Sequence, residues 1–318
     1  MKKVSIIVPA YNEEEVLEIF YKETKKVLEE ITDKYDYELI FVDDGSKDNT
    51  LDVLKNMHKV DEKINIISFS RNFGKEAGIY AGLSASNGDF AVIMDADLQN
   101  EPKVIIEMLK YIEEGYDTVT TIRNRKKEPK VKSFFAKTFY RLMQGANNIE
   151  IKEGSQDFRL MTRQVVDAIL QLKEYNRFSK GIFSWVGFKT KYIEVENKER
   201  VAGKTKWSFK GLTKYAIEGI TSFTVKPLRI ATISGIIISI VSLILAIQIV
   251  IQTLISGKDV PGYASTITSV LFIGGIQLVT IGILSEYVGK IYLEIKGRPQ
   301  YIIKEEILGD KIDHENIK

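Results

Sequence analysis

Phe90-Ala91-Val92-Ile93-Met94-Asp95-Ala96-Asp97-Leu98-Gln99 is the stretch on which the fold turns. Five apolar residues run without alternation, the pattern of a strand buried on both faces. The run then breaks into two carboxylates two residues apart. The same pattern recurs upstream. Val4–Val8 ends at Pro9-Ala10-Tyr11-Asn12-Glu13, and Tyr37–Val42 stops at Asp43-Asp44-Gly45-Ser46. Ile64–Phe69 reads as a further strand, and Asp117–Ile122 as another. Helical spacing lies between them: Val16, Leu17, Phe20, Val27, Leu28 and Ile31 within 13–31, then Asn49–Val60, Lys75–Ser86 and Pro102–Gly115. Strands alternating with helices predict an α/β fold with a largely parallel sheet and helices on both faces. Ligands of such sheets bind beyond the carboxyl ends of the strands. The clusters at 9–13, 43–46 and 95–99 are therefore expected to converge.

Composition excludes several classes. Lys+Arg is 45 and Asp+Glu is 43 in 318 residues, so the chain lacks the basic excess of a nucleic-acid binder. There is no cysteine, which removes disulfides and thiolate metal sites. His58 and His314 stand alone and do not make a zinc site. The apolar run Val4–Ala10 is too short for a signal peptide and meets Glu13, Glu14 and Glu15 at once. The N-terminal domain is expected to stay on the side where it is made.

Residues 230–257 and 260–285 carry no charge. Each run exceeds the ~20 residues needed to cross a bilayer core. The chain thus divides into a soluble domain (1–206), an interfacial amphipathic segment (207–229), two spans (about 230–256 and 262–288) and a tail (291–318). Lys226 and Arg229 precede the first span; Lys290, Lys296, Arg298 and Lys304 follow the second. The positive-inside rule puts domain and tail together in the cytoplasm. The aromatic, cationic stretch 134–143 reads either as a helix lying on a membrane surface or as an ordinary domain helix.

Asp95 and Asp97 at a strand end suit a hard divalent cation, Mg²⁺ or Mn²⁺, with Gln99 adding a carbonyl oxygen. Such an ion offsets the charge that develops on a leaving diphosphate. An acidic turn exposed to solvent reads the same way on its own. Asp43 and Asp44 read either as a capping turn or as acceptors for a ribose or a uracil N–H. Tyr11 is placed to stack and Glu13 to accept. Gly203-Lys204-Thr205 is not a P-loop, because Lys198 stands where a glycine is required.

Together these segments resemble the signature of family 2 glycosyltransferases with the GT-A fold. Ser70-Arg71-Asn72-Phe73-Gly74-Lys75-Glu76, Gln156–Met161, Arg177-Phe178, Lys180-Gly181, Trp185-Val186-Gly187 and Arg200–Trp207 extend the resemblance to the polyprenyl-phosphate branch. Glu286–Tyr292 and Gly297-Arg298-Pro299 resemble the bacterial polyprenyl-phosphate glucosyltransferases. The resemblance covers essentially the whole chain. It implies inverting transfer of a hexose, glucose foremost, from a UDP-sugar to undecaprenyl phosphate, for cell-envelope glycosylation at a bacterial inner membrane. It implies a homotetramer and no nucleic-acid partner. Pro9, Tyr11, Glu13, Asp43, Asp44, Lys75, Asp95 and Ala96 are then expected to hold the nucleotide-sugar. Asp95, Asp97 and Gln99 are expected to bind the metal, and Asp97, Asp157 and Arg200 to serve catalysis. Asp157 reads either as the catalytic carboxylate or as a structural partner of Arg159. Two phosphorylated substrates need cations to meet, and Arg123, Arg125, Lys132, Arg200, Lys204 and Lys206 are the expected acceptor-phosphate ligands. Arg125–Lys132 also reads as a solvated loop or a contact with anionic lipid.

Two rivals differ in class. A processive polysaccharide synthase carries Gln-x-x-Arg-Trp, whereas Gln156 is followed by Asp157-Phe158-Arg159-Leu160. A non-catalytic lipid-phosphate carrier has no use for the set Asp95, Asp97 and Asp157. Transfer of an N-acetylhexosamine from its UDP donor, or of mannose from GDP-mannose, stays open.

Overall fold

A computed structural model describes residues 1–123, 152, 154–195, 221, 225–256 and 262–309. The expected amphipathic stretch at 134–143, residues 207–220 and 222–224 of the one expected at 207–229, and Arg125, Lys132, Arg200, Lys204 and Lys206 lie outside the described residues.

Among the described residues the domain has eight strands. They are β1 (Lys2–Ala10), β2 (Tyr35–Asp43), β3 (Ile64–Phe69), β4 (Phe90–Ile93), β5 (Thr118–Arg123), β6 (Ser155–Thr162), β7 (Thr190–Val195) and β8 (Ile303–Ile307). Their order in the sheet is β7-β5-β6-β4-β1-β2-β3-β8. The centre, β4-β1-β2-β3, is parallel throughout. β6 runs antiparallel to both β4 and β5, and β8 antiparallel to β3. The sheet is thus mostly parallel, as expected, with two reversed strands that the expectation did not contain.

Helices cover both faces. On one side α1 (Leu17–Glu29), α2 (Thr50–Val60) and α4 (Val104–Glu113) bury Phe20, Leu54 and Met108 against Ile6, Phe41 and Val92. On the other, α3 (Lys75–Ala85), α5 (Arg163–Gln171) and α6 (Ser179–Trp185) pack Ile79, Val166 and Ile182 against Ile7 and Ile93. Burial on both faces explains the largely apolar runs of β1, β2 and β4, broken by buried Ser5 and Glu38, where the Ser5 hydroxyl donates to the Glu38 carboxylate. Gly82 lets α3 approach β1 closely, because a Cβ there would lie 2.2 Å from the Ile7 side chain.

Two long helices follow, α7 (Lys226–Ser256) and α8 (Tyr263–Ile295). Their apolar stretches, Lys226–Gln252 and Ser265–Ile295, are long enough to cross a membrane, and none of either is buried within the chain. Neither is therefore a core helix. They form an antiparallel pair. At 31 and 33 residues they reach about 46 and 50 Å, beyond a hydrocarbon core of ~30 Å.

The stretch expected to be a tail enters the sheet. Ser68 pairs with Glu305, the Ser70 N–H donates to the Ile302 carbonyl (2.9 Å), and Tyr301 stacks on Phe69 with centroids 4.9 Å apart. Its charged sequence hides a strand because it pairs on one side only and stays largely in solvent.

Candidate active site

Because β1, β2 and β4 are parallel neighbours, the turns after them stand side by side, as the sequence implies. Asp43 closes β2, and each of its carboxylate oxygens is engaged: Oδ1 accepts the Ser46 N–H (3.0 Å) and Oδ2 the Ser68 hydroxyl (2.8 Å). Asp44 accepts the N–H groups of Phe73 (2.6 Å) and Gly74 (2.9 Å), pinning the loop that leads into α3. Burial pushes the Asp44 carboxyl up, and those two N–H bonds pull against it. Gly45 sits at φ +64°, and a Cβ there would lie 2.4 Å from the Arg71 backbone. The first turn is tied to the second through the Asn12 N–H to Ser46 Oγ (2.9 Å) and the Glu13 N–H to Thr50 Oγ1 (2.9 Å). Pro9 lies against Gly78 of α3, and Tyr11 and Glu13 are half-buried on the same rim.

Next to this cradle is a charge cluster. Lys75, the first residue of α3, places Nζ 2.7 Å from Asp95 Oδ1 and 2.8 Å from Asp157 Oδ2. Asp95 follows β4 and Asp157 lies on β6, so the reversed strand brings the second carboxylate to the rim. Lys180 Nζ stands 4.0 Å from Asp157 Oδ1. Burial opposes the charge on Lys75, but Asp157 and Asp95 outweigh it and raise its pKa. Burial likewise opposes ionisation of Asp157, but Lys75 and then Lys180 outweigh it and hold the carboxyl well below the usual carboxylate range.

Asp157 is not paired with the Arg159 guanidinium as a simple ion pair. Arg159 donates to the Gln156 carbonyl (2.8 Å) and the Asp157 carbonyl (3.3 Å), and its guanidinium carbon lies 3.7 Å from the Phe183 ring centroid. Burial lowers its pKa to about 10 against the pull of Asp157. The Asp157 carboxylate faces the lysines instead.

Asp95, Asp97 and Gln99 are half-buried and alternate along the turn with buried Ala96, Leu98 and Asn100. Leu98 takes a positive φ of 54° to make that turn. Asp97 accepts the Gln99 N–H at 3.1 Å. Among the described residues no group of three or more His, Cys, Asp or Glu side chains is placed to hold a metal ion by itself. Two carboxylates and one amide oxygen fit a hard divalent ion that keeps its other positions for water and substrate phosphate. Arg123 is exposed at the end of β5, where its backbone N–H donates to the Gly154 carbonyl (2.9 Å).

The sequence profile of Glycosyl transferase family 2 matches residues 5–170, over half of the chain. The chain belongs to this family. A second profile, the GtrB C-terminal hairpin, matches residues 226–291. CsbB of Bacillus subtilis, named as a glycosyltransferase, is 44% identical over 97% of this chain and 93% of its own. A bactoprenol glucosyl transferase from a Shigella flexneri prophage is 41% identical over 97% and 99%. A prophage bactoprenol glucosyl transferase homolog of Escherichia coli is 43% identical over 95% and 98%. This family 2 enzyme therefore shares its hairpin as well as its catalytic domain with those relatives.

Two members of the cluster had no assigned role in the sequence reading, Glu76 and Lys180. Glu76 accepts the Ser179 N–H (3.0 Å) and its hydroxyl, joining α3 to α6. Both lie within motifs that carry the family resemblance. The Glu76–Ser179 bond that sets Lys180 beside Asp157 depends on packing of α3 on α6 over 103 residues of separation, which no local pattern encodes.

Proposed function

We propose that the enzyme transfers glucose from UDP-glucose to a polyprenyl phosphate, undecaprenyl phosphate foremost, with inversion at the anomeric carbon. One observation carries this reading: a GT-A strand-end site whose neighbouring 172–178 loop is hydrogen-bonded to the end of α8, one of two unburied apolar helices. Glu294, at the end of α8, accepts the Tyr175 N–H at 3.0 Å, and Gln300 donates to the Glu174 carbonyl at 2.8 Å. The 172–178 loop leads straight into α6 and Lys180. An acceptor that is itself a membrane lipid suits such a joint. The names of the Shigella and Escherichia relatives support both the sugar and the lipid class.

In this reading the turns at 9–13 and 43–46, with Lys75, Asp95 and Ala96, hold the nucleotide-sugar. Asp95, Asp97 and Gln99 are the residues that would hold Mg²⁺ or Mn²⁺. When bound, the ion supplies Lewis acidity at the donor diphosphate. Asp157 keeps Lys75 charged and oriented between the donor and acceptor sides. An oxygen of the acceptor phosphate attacks the anomeric carbon as its bond to the diphosphate breaks, and that electron pair leaves with UDP. The acceptor's second pKa is about 6, so it is mostly a dianion at neutral pH and needs no general base. Arg123 and, outside the described residues, Arg125, Lys132, Arg200, Lys204 and Lys206 remain our candidates for acceptor-phosphate contacts. The catalytic domain faces the cytoplasm in this reading, four copies assemble, and both helices span the inner membrane.

The test is transfer from labelled UDP- and GDP-sugars to undecaprenyl phosphate in detergent, with Mg²⁺ or with EDTA. Metal-dependent formation of one lipid-linked glucose is expected. Transfer of an N-acetylhexosamine or mannose corrects the donor, and no transfer from any donor by folded protein favours the carrier reading.

A further inference from the structure

The Asp157 cluster holds the carboxylates of Asp95, Asp157 and Glu76, and one of the cations around them is held loosely. Lys75 is fully committed, with contacts of 2.7–2.8 Å to Asp95 and Asp157. Arg159 is 3% exposed and committed to backbone carbonyls and the Phe183 ring. Arg177 donates to the Leu172 carbonyl and stacks over Tyr80 at 4.5 Å. Lys180 differs. Its Nζ is 4.0 Å from Asp157, beyond hydrogen-bond range, and its side chain is 26% exposed.

The backbone that carries Lys180 is nonetheless fixed. Ser179, its neighbour, gives both its N–H and its hydroxyl to the Glu76 carboxylate, which burial pushes up in pKa. The preceding loop is fixed from the membrane side through Glu294 to Tyr175 and Gln300 to Glu174. A half-buried, solvent-reachable side chain on a rigid base, beside the Asp157 carboxylate and on the segment joined to α8, is built to meet an anion arriving from the membrane.

We propose that Lys180 is an acceptor-phosphate ligand, and that Glu76 and Glu294 are positioning residues that set its place. The proposal rests on the polyprenyl-phosphate reading above and deepens it. Lys75 serves the donor side of Asp157 and Lys180 the acceptor side, so one carboxylate holds the two cations between which the two phosphates are brought together.

The test compares Lys180→Ala and Lys180→Arg with wild type, in the full-length enzyme in detergent. KM for undecaprenyl phosphate and KM for UDP-glucose are measured separately, and UDP binding is measured directly. A charge-assisted hydrogen bond predicts a rise in acceptor KM of about 10- to 100-fold for Lys180→Ala. Donor KM and UDP affinity are expected to stay within about threefold, and Lys180→Arg to recover most of the loss. Direct binding of farnesyl phosphate, with farnesol as the uncharged control, supplies a readout independent of turnover. Lys180→Ala is expected to cut the preference for the phosphate by about the same 10- to 100-fold factor. An unchanged acceptor KM, or equal damage to donor and acceptor KM, overturns the proposal. Wild-type enzyme that ignores polyprenyl phosphate defeats the proposed function instead, so the two failures are distinct.

Discussion

At the scale of single residues, electrostatics decides what Asp157 can do. A carboxyl held below its usual range is a poor proton acceptor. The sign follows: Asp157 ionisation favours the native state above the unfolded pKa of about 3.9, and that contribution is lost only as pH falls through its lower native value. The acid limb of transfer should therefore sit near pH 6, at about the second ionisation of the acceptor. Replacing the phosphate acceptor by a prenyl phosphonate, which ionises at higher pH, should move the limb upward; a limb that stays in place would assign it to the protein. Asp97→Ala should abolish transfer while leaving the fold intact, and near-normal activity with Mg²⁺ would remove Asp97 from the metal site. Gly45→Ala should cost roughly 1–3 kcal/mol, since it adds strain at positive φ where the Arg71 backbone already fills the space. Urea unfolding in detergent measures that loss, and an unchanged midpoint would show that the turn can open without cost.

At the scale of elements, β8 is the test case. Tyr301 lies between Phe69, stacked at 4.9 Å, and Tyr80, tilted at 6.4 Å. Tyr301→Ala should lower stability by about 2 kcal/mol and speed amide exchange in β3. Lys55→Ala, which breaks a part-exposed pair with Glu305, should cost under about 1 kcal/mol. Equal effects would mean that the strand is held by charge rather than by its aromatic anchor. The contrast also shows what sequence can carry. β1, β2 and β4 were legible because burial on both faces forces an apolar run, and the turns after them because they break that run with carboxylates. β6 was not, because Gln156, Asp157 and Arg159 occupy a strand whose polar groups find partners only after folding. β8 was not, because an edge strand needs only one apolar contact. The site divided the same way: Asp95 and Asp97 announce themselves locally, whereas the meeting of Lys75, Asp157 and Lys180 is a product of packing.

For the whole molecule, the hairpin sets the geometry. α7 leaves the domain and α8 returns to it, so the sheet and β8 occupy the same side of whatever the helices cross. In the proposed membrane-spanning reading, α8 exceeds a ~30 Å core by about 20 Å, on the order of three to four turns. Glu286, Lys290 and Glu294 punctuate its last turns. High-salt and carbonate washes should leave the protein in the membrane pellet; release by salt alone would mean surface attachment through charge.

The route of the chain has one more consequence, in the order of synthesis. β3 is made early, and its outer edge waits for a strand that emerges only after both apolar helices. At about 5–20 residues per second that wait is on the order of tens of seconds. During it the nascent domain carries an unpaired edge, open to wrong partners. A ribosome that stalls before the hairpin is complete releases an unfinished sheet. β8 thus ties the β3 side of the sheet to chain made after the hairpin, and a product truncated before it leaves β3 as the edge.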